Sequence, residues 1–240
     1  ASVVLELVPF SLQCVQSPGT KSAALDCVVS IINALGTKLM PRLNEVASVL
    51  IEVATSETEM AGGMDGDAPG SCLHQTMSAL ETLIASLGTF LTPHIKNLLK
   101  LLLSPRIASI EATVDIRAKE SSEGARDQMA KVMAPRLLLD PVLSFLDSAI
   151  EFGEPSIMAL ISILRKILNE MDSSAASAYH AKVFEFLLRI FDMRGNEEID
   201  IYNLSNVEEM AINSFLDLCL KLNEKAFNPL FLQILVWSES

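Results

Sequence analysis

The sequence is short of aromatic residues, which make up 5% of its 240 positions although half of the chain is apolar. Apolar content carried instead by Leu, Ile, Val, Ala and Met argues against a β-sheet core and for helix packed on helix. Long uninterrupted apolar runs are also missing. A mean hydropathy of +0.37 raises the question of a membrane. Yet long stretches without Lys, Arg, Asp or Glu, such as 82 to 95 and 226 to 238, are broken by Pro93 and Pro229. Both fall short of the roughly 20 apolar residues that a spanning helix needs, so no membrane partner is expected. A secretory signal is not visible at the start, where Pro9 interrupts the apolar residues and no basic group precedes them. The opening at Ala1 reads instead like the middle of a much longer protein.

Cysteine is sparse and irregular. Cys14, Cys27, Cys72 and Cys219 form no CxxC pair, the pattern expected of buried free thiols in a reducing compartment. Positive charge is outnumbered, 18 Lys and Arg against 30 Asp and Glu, for a net charge of -12. Such a balance opposes capture of nucleic acid by the molecule as a whole, while leaving room for a local basic face.

Motifs of catalysis are lacking as well. "SPGTKS" (17 to 22) ends like a phosphate loop but has no second glycine upstream to free the backbone N–H groups of a phosphate cradle. "MDGDAPG" (64 to 70) places two carboxylates two residues apart, without the further oxygen ligands of a calcium loop. Cys72 and His74 could supply two zinc ligands but have no second pair nearby, and His94 and His180 read as ordinary helix residues. There is no GxSxG elbow. The expectation is a protein that is not an enzyme, with no metal, no cofactor and no small-molecule substrate.

What is present is an internal repeat. "LGTKLMP" (35 to 41) returns 52 residues later as "LGTFLTP" (87 to 93), inside longer stretches that also align. Apolar residues on both sides fall at helical spacing, for example Leu25, Val28, Ile32 and Leu35, then Leu43, Val46 and Leu50. Each copy is therefore a helix, a sharp turn and a second helix. Gly36 and Gly88 would give a permissive backbone at the helix end, Pro41 and Pro93 a preset φ at the next start, and Leu39 and Leu91 the plug between them. Three weaker pairs follow, the third turning at Pro135 to Pro141 and the fifth at Pro229, which aligns on Pro93. The segment 104 to 126 adds a further helix with a solvated loop. The spacings suit HEAT or armadillo units, so the predicted fold is all-α: one HEAT/armadillo-like α-solenoid segment over 1–240, of about five helix pairs. Polar stretches at about 55–71 and 192–206 read as flexible loops between pairs.

Two features bear on binding. Arg117, Lys119, Arg126, Lys131 and Arg136 make a stretch that leans basic, although Glu120, Glu123 and Asp127 lie among them. A solvated face of mixed sign is the ordinary expectation, and contact with RNA phosphate or an acidic partner the alternative. The apolar residues from Phe184 to Phe191, and Phe215, Leu216, Leu218, Leu220 and Leu222, read as core, with a groove for a partner's amphipathic helix as the rival reading.

The last helix pair, "EEMAINSFLDLCLKLNEKAFNPLFLQILVWSES", resembles the C-terminal region of the very large HEAT-repeat proteins of the UtpA, or transcription-linked, subcomplex of the small-subunit processome. The resemblance is carried by Leu220 to Glu224, Phe227, Pro229 to Phe231 and Trp237. In the residues themselves, Asn223 would close one helix, Pro229 would open the next, and Phe227, Phe231 and Trp237 would anchor the stack. The resemblance implies a non-catalytic nucleolar scaffold for pre-ribosomal RNA processing and transcription. It also implies other UtpA subunits and processome proteins as partners, and the 5′ external transcribed spacer as a possible RNA partner. A peptide-binding transport or adaptor protein of HEAT or armadillo type is the rival, but such proteins repeat Trp and Asn along their concave face, and this chain has one Trp.

Overall fold

The computed structural model describes residues 2–60, 72–110, 112–195 and 204–238. Among them every regular element is helical, with no strand. The chain divides into two compact units, Ala1–Ala134 and Pro135–Ser240.

The first unit contains α1 (Ser2–Val15), α2 (Lys21–Leu35), α3 (Leu43–Met60), α4 (Leu73–Leu87), α5 (Ile95–Leu102), the single turn α6 (Pro105–Ala108) and α7 (Ala112–Val132). At its centre lies α4, packed on α2, α3 and α7. Met77, Leu80, Leu83 and Ile84 recur at three- and four-residue steps and are fully buried, the stripe that such spacing creates. A buried ion pair ties the neighbours together. Lys21 Nζ lies 2.7 Å from Glu57 Oε1, and Glu57 Oε2 accepts from the Cys72 backbone N–H at 3.1 Å, so one carboxylate links α2, α3 and the start of α4. The span Lys21–Glu59 is long and apolar enough to cross a membrane by composition. However, Gly36 divides it at φ +49, and α2 and α3 turn their apolar faces onto α4.

The repeated phrase builds two related turns. After α2, Gly36 takes the left-handed φ and a 3-10 turn, Gly36–Arg42, carries Pro41 and leads into α3. After α4, two short 3-10 turns, Gly88–Phe90 and Thr92–His94, carry Pro93 and lead into α5. Leu39 and Leu91 are fully buried in the two turns. Gly88 departs from the expected use, because its φ and ψ of -53 and -36 are helical. It is small for another reason: a Cβ there would lie 3.1 Å from Val132 Cγ1 of α7. In both turns the proline sits inside the 3-10 segment, whose φ near -60° suits the ring, and the α-helix begins two residues later.

The second unit contains α8 (Pro135–Leu143), α9 (Leu146–Phe152), α10 (Glu154–Glu170), α11 (Ser173–Phe191), α12 (Leu204–Cys219) and α13 (Glu224–Ser238). Here α10 is central, packed on α8, α9 and α12, and seven of its Ile and Leu side chains are fully buried. Gly153, at φ +94, lets the chain leave α9 and enter α10 at once. Asp172 caps α11, its Oδ1 accepting from the Ala175 N–H at 2.7 Å. Lys221 Nζ donates to the Asn169 and Met171 carbonyls at the end of α10, where cations are favoured.

Four local readings change. Residues 55–60, assigned to a loop, continue α3, where Thr55 and Ser56 return their hydroxyls to carbonyls four residues back; 61–71 lies outside the described residues. Of 192–206, Asp192–Gly195 form a 3-10 turn, Leu204 begins α12, and 196–203 lies outside the described residues. The Pro135 to Pro141 segment is helix α8 instead of a turn, started by Pro135 at its first position. Pro229 is likewise no turn: it lies inside α13, which Asn223 starts by accepting from the Ala226 N–H at 2.9 Å. The cap sets the helix origin six residues early, and Pro229 then costs one bond to the Lys225 carbonyl.

Candidate interaction surface

The basic run resolves into unlike roles. Arg117, Lys119, Arg126 and Lys131 lie on α7, whose regular part starts where Asp115 Oδ1 accepts from the Ala118 N–H at 2.9 Å. Arg117 and Lys131 are exposed and Lys119 is half-buried. Arg126 is 8% exposed and Nη1 donates to the Leu102 carbonyl at 3.1 Å, serving the end of α5. Burial pulls its guanidinium below the usual pKa, against the pull of nearby Glu123. Arg126 therefore leaves the list of surface contacts. Its spacing of nine from Arg117 and five from Lys131 could have shown this, since those steps turn it away from both around an ideal helix. Arg136 is exposed on α8, in the second unit.

Cys14, Cys27 and Cys219 form no disulfide among the described residues, and Cys72 is buried. Burial raises the pKa of Cys72, with Glu57 adding to the effect and Lys21 opposing it, and burial raises that of Cys219. Both thiols are thus turned away from the thiolate form that reactive cysteines use. Cys27 is exposed, unlike the buried thiol expected. Among the described residues no three of His, Cys, Asp and Glu gather as metal ligands would.

The less expected surface belongs to α11, α12 and α13. Phe184, Phe186, Leu187, Ile190 and Leu218 are core, but Leu216 is half exposed and Leu220 is 85% exposed. Ile212, Leu216 and Leu220, the last lying one residue past the end of α12, form an apolar i, i+4, i+8 stripe. The sequence carried the signal, because Leu216, Leu218, Leu220 and Leu222 at steps of two cannot all face one side of a helix. On α13 only Leu230 is buried. Phe231, Leu232, Leu235 and Val236 stand exposed, and Phe231 stacks on Phe227 with centroids 5.9 Å apart. Trp237 is fixed from two sides: its ring lies 5.8 Å from Phe191, and its Nε1–H donates to Asp192 Oδ1 at 2.6 Å.

Two clefts flank that indole. One, of about 570 Å³, is lined by Phe191, Phe215, Ile212 and Ile234, with Arg194 and Glu208 paired in a two-bond fork at its edge. The other, of about 650 Å³, runs between α11 and α13 over Phe184 and Leu188, with Leu232 and Val236 as its wall and Glu185 as its charged residue. Such clefts match ligand-sized sites, yet they hold neither a nucleophile beside a base nor a metal-binding set. Their chemistry is that of apolar recognition.

Paired helices around a buried central helix, joined by repeated tight turns, define an all-α protein of the HEAT-like class. Residues 175–240, which hold both clefts, match the BP28CT (NUC211) domain. The chain is homologous to the C-terminal part of HEAT repeat-containing protein 1 and U3 small nucleolar RNA-associated protein 10. It is 28% identical to an uncharacterized protein of Arabidopsis thaliana over 95% of its own length and 10% of that protein's. A HEAT repeat-containing protein 1 homolog from Dictyostelium discoideum is 25% identical over 90% of the chain and 10% of that protein. The U3 small nucleolar RNA-associated protein 10 of Mycosarcoma maydis is 24% identical over 90% and 11%. The chain thus spans about a tenth of the length of the curated relatives it matches. No solved structure matches it.

Proposed function

We propose that the chain is a non-catalytic HEAT-repeat scaffold segment in nucleolar ribosome biogenesis, acting in small-subunit processome assembly, pre-18S ribosomal RNA processing and support of ribosomal DNA transcription. The observation that carries this reading is collinear similarity over nine-tenths of the chain to a protein named for its association with the U3 small nucleolar RNA. The BP28CT match falls on the same C-terminal helices that the sequence alone singled out. The partners are other UtpA subunits and processome proteins, the site of action is the nucleolus within the nucleus, and neither a membrane nor a small-molecule substrate takes part. The 5′ external transcribed spacer of the pre-ribosomal RNA is the RNA partner. Arg117, Lys119 and Lys131, and separately Arg136, are the residues able to meet its phosphates. Arg126 is committed to the core.

Depletion of the full-length protein, followed by probing of ribosomal RNA precursors, tests this reading. A fall in total precursor, with unprocessed pre-18S RNA raised relative to large-subunit precursors, is expected. Normal precursor levels after complete depletion would refute it.

A further inference from the structure

The groove between α11 and α13 has the makings of a docking site. Its floor, Phe184 and Leu188, is shaped by the core, while Leu232 and Val236 on its wall are 61% and 70% exposed. A helix apolar on every side is ordinarily buried on every side, yet α13 buries Leu230 alone. We propose that this groove receives an amphipathic helix of a second protein, one that carries Lys or Arg beside its apolar stripe.

The apolar half of that description follows from the lining. A stripe at i, i+3, i+4 and i+7 would lay its anchors over Phe184, Leu188, Leu232 and Val236, the mode by which helices enter grooves. The basic half follows from charge. Of the charged residues lining the two clefts around Trp237, Arg194 and Glu208 satisfy one another. Asp192 accepts from a neutral indole, which leaves its charge in place, and Glu185 lies at the groove itself. The cations of α11 are engaged away from the groove, Lys182 on Asp140 and Arg189 on Asp147. A helix with a basic flank meets Glu185 in the groove and Asp192 in the neighbouring cleft across Trp237, whereas an acidic one meets repulsion.

Trp237 is the sole tryptophan of the chain and forms part of both clefts, so its fluorescence reports occupancy directly. The probe is an 18-residue peptide with Leu at i, i+3, i+4 and i+7 spacing and Lys elsewhere, titrated into the full chain. Its control carries Glu in place of every Lys. The Lys peptide should bind saturably and shift Trp237 emission, with the Glu peptide at least about ten-fold weaker. Leu232→Glu should weaken binding of the Lys peptide about ten-fold although it adds negative charge, and Glu185→Lys should weaken it as well. Leu232 is exposed, so the variant is expected to fold, and unchanged helix content by circular dichroism checks that. An unmoved Trp237 signal, equal binding of the two peptides, or tighter binding by Leu232→Glu would overturn the proposal. So would sedimentation equilibrium showing that Leu232 and Val236 are covered by a second copy of the chain.

Discussion

Gly36 and Gly88 occupy the same letter of a repeated phrase and are required for different reasons. At Gly36 the backbone is left-handed at φ +49, and a methyl group added there would meet no atom within 4 Å. Gly36→Ala should therefore destabilise the first unit by about 1 to 2 kcal/mol through backbone strain alone. Gly19→Ala, equally open and without positive φ, should cost nothing measurable by denaturant titration. Gly88 was legible as a glycine position but not in its purpose, because its neighbour Val132 lies 44 residues on and arrives only through packing of α7. Glu81 could not have been singled out from sequence either. Facing α7 at Ser121 and Gly124, it has a carboxyl raised above its ordinary 4.5 chiefly by burial, with a Ser121 hydrogen bond opposing. The folded state then holds the proton more tightly than the unfolded one, so this group favours folding less as pH rises from 4.5 through its raised value. Above that window the penalty is complete. Glu81→Gln should accordingly be more stable than the parent at pH 7, and the difference should vanish below pH 4; a variant less stable at pH 7 would contradict this.

At the scale of elements, helix boundaries followed capping chemistry more closely than proline. The pairs on either side of "LGTKLMP" and "LGTFLTP" were readable because helical stripes of Leu, Ile and Val flank them. The start of α13 was misplaced because Pro229 aligned on Pro93, while Asn223, three residues ahead of the N–H that it caps, was assigned to the preceding helix. Asn223→Ala should cost about 1 kcal/mol, and Pro229→Ala should stabilise or be neutral, since it restores a helical N–H. Thermal melts of the two variants would settle the order. In the repeat turn, Leu91 is fully buried, so Leu91→Ala should cost about 2 to 4 kcal/mol. Pro93→Ala should cost under about 1 kcal/mol, acting mainly through the unfolded chain. That Ile212, Leu216 and Leu220 form the exposed stripe is hidden in the sequence because Leu216, Leu218, Leu220 and Leu222, at steps of two, present apolar residues to both sides of the helix.

At the scale of the molecule, chain contacts concentrate within 1–134 and within 135–240. Hydrogen exchange on Leu91→Ala should show protection lost first in α4, α5 and α7, with α10 retaining its protection. A uniform loss across both units would mean a single cooperative globule. All-α architecture was legible from composition and periodicity. Surface roles were less so: spacing separates Arg126 from Arg117 and Lys131, but which side is buried depends on partners such as the Leu102 carbonyl, 24 residues away. The proposed role in a U3-associated processome scaffold is decided by purifying the tagged full-length protein from nucleolar extract and sequencing the RNA that comes with it. Enrichment of U3 small nucleolar RNA and the 5′ external transcribed spacer, together with processome proteins, is predicted. Recovery of transport receptors or peptide cargo with no enrichment of U3 would contradict it.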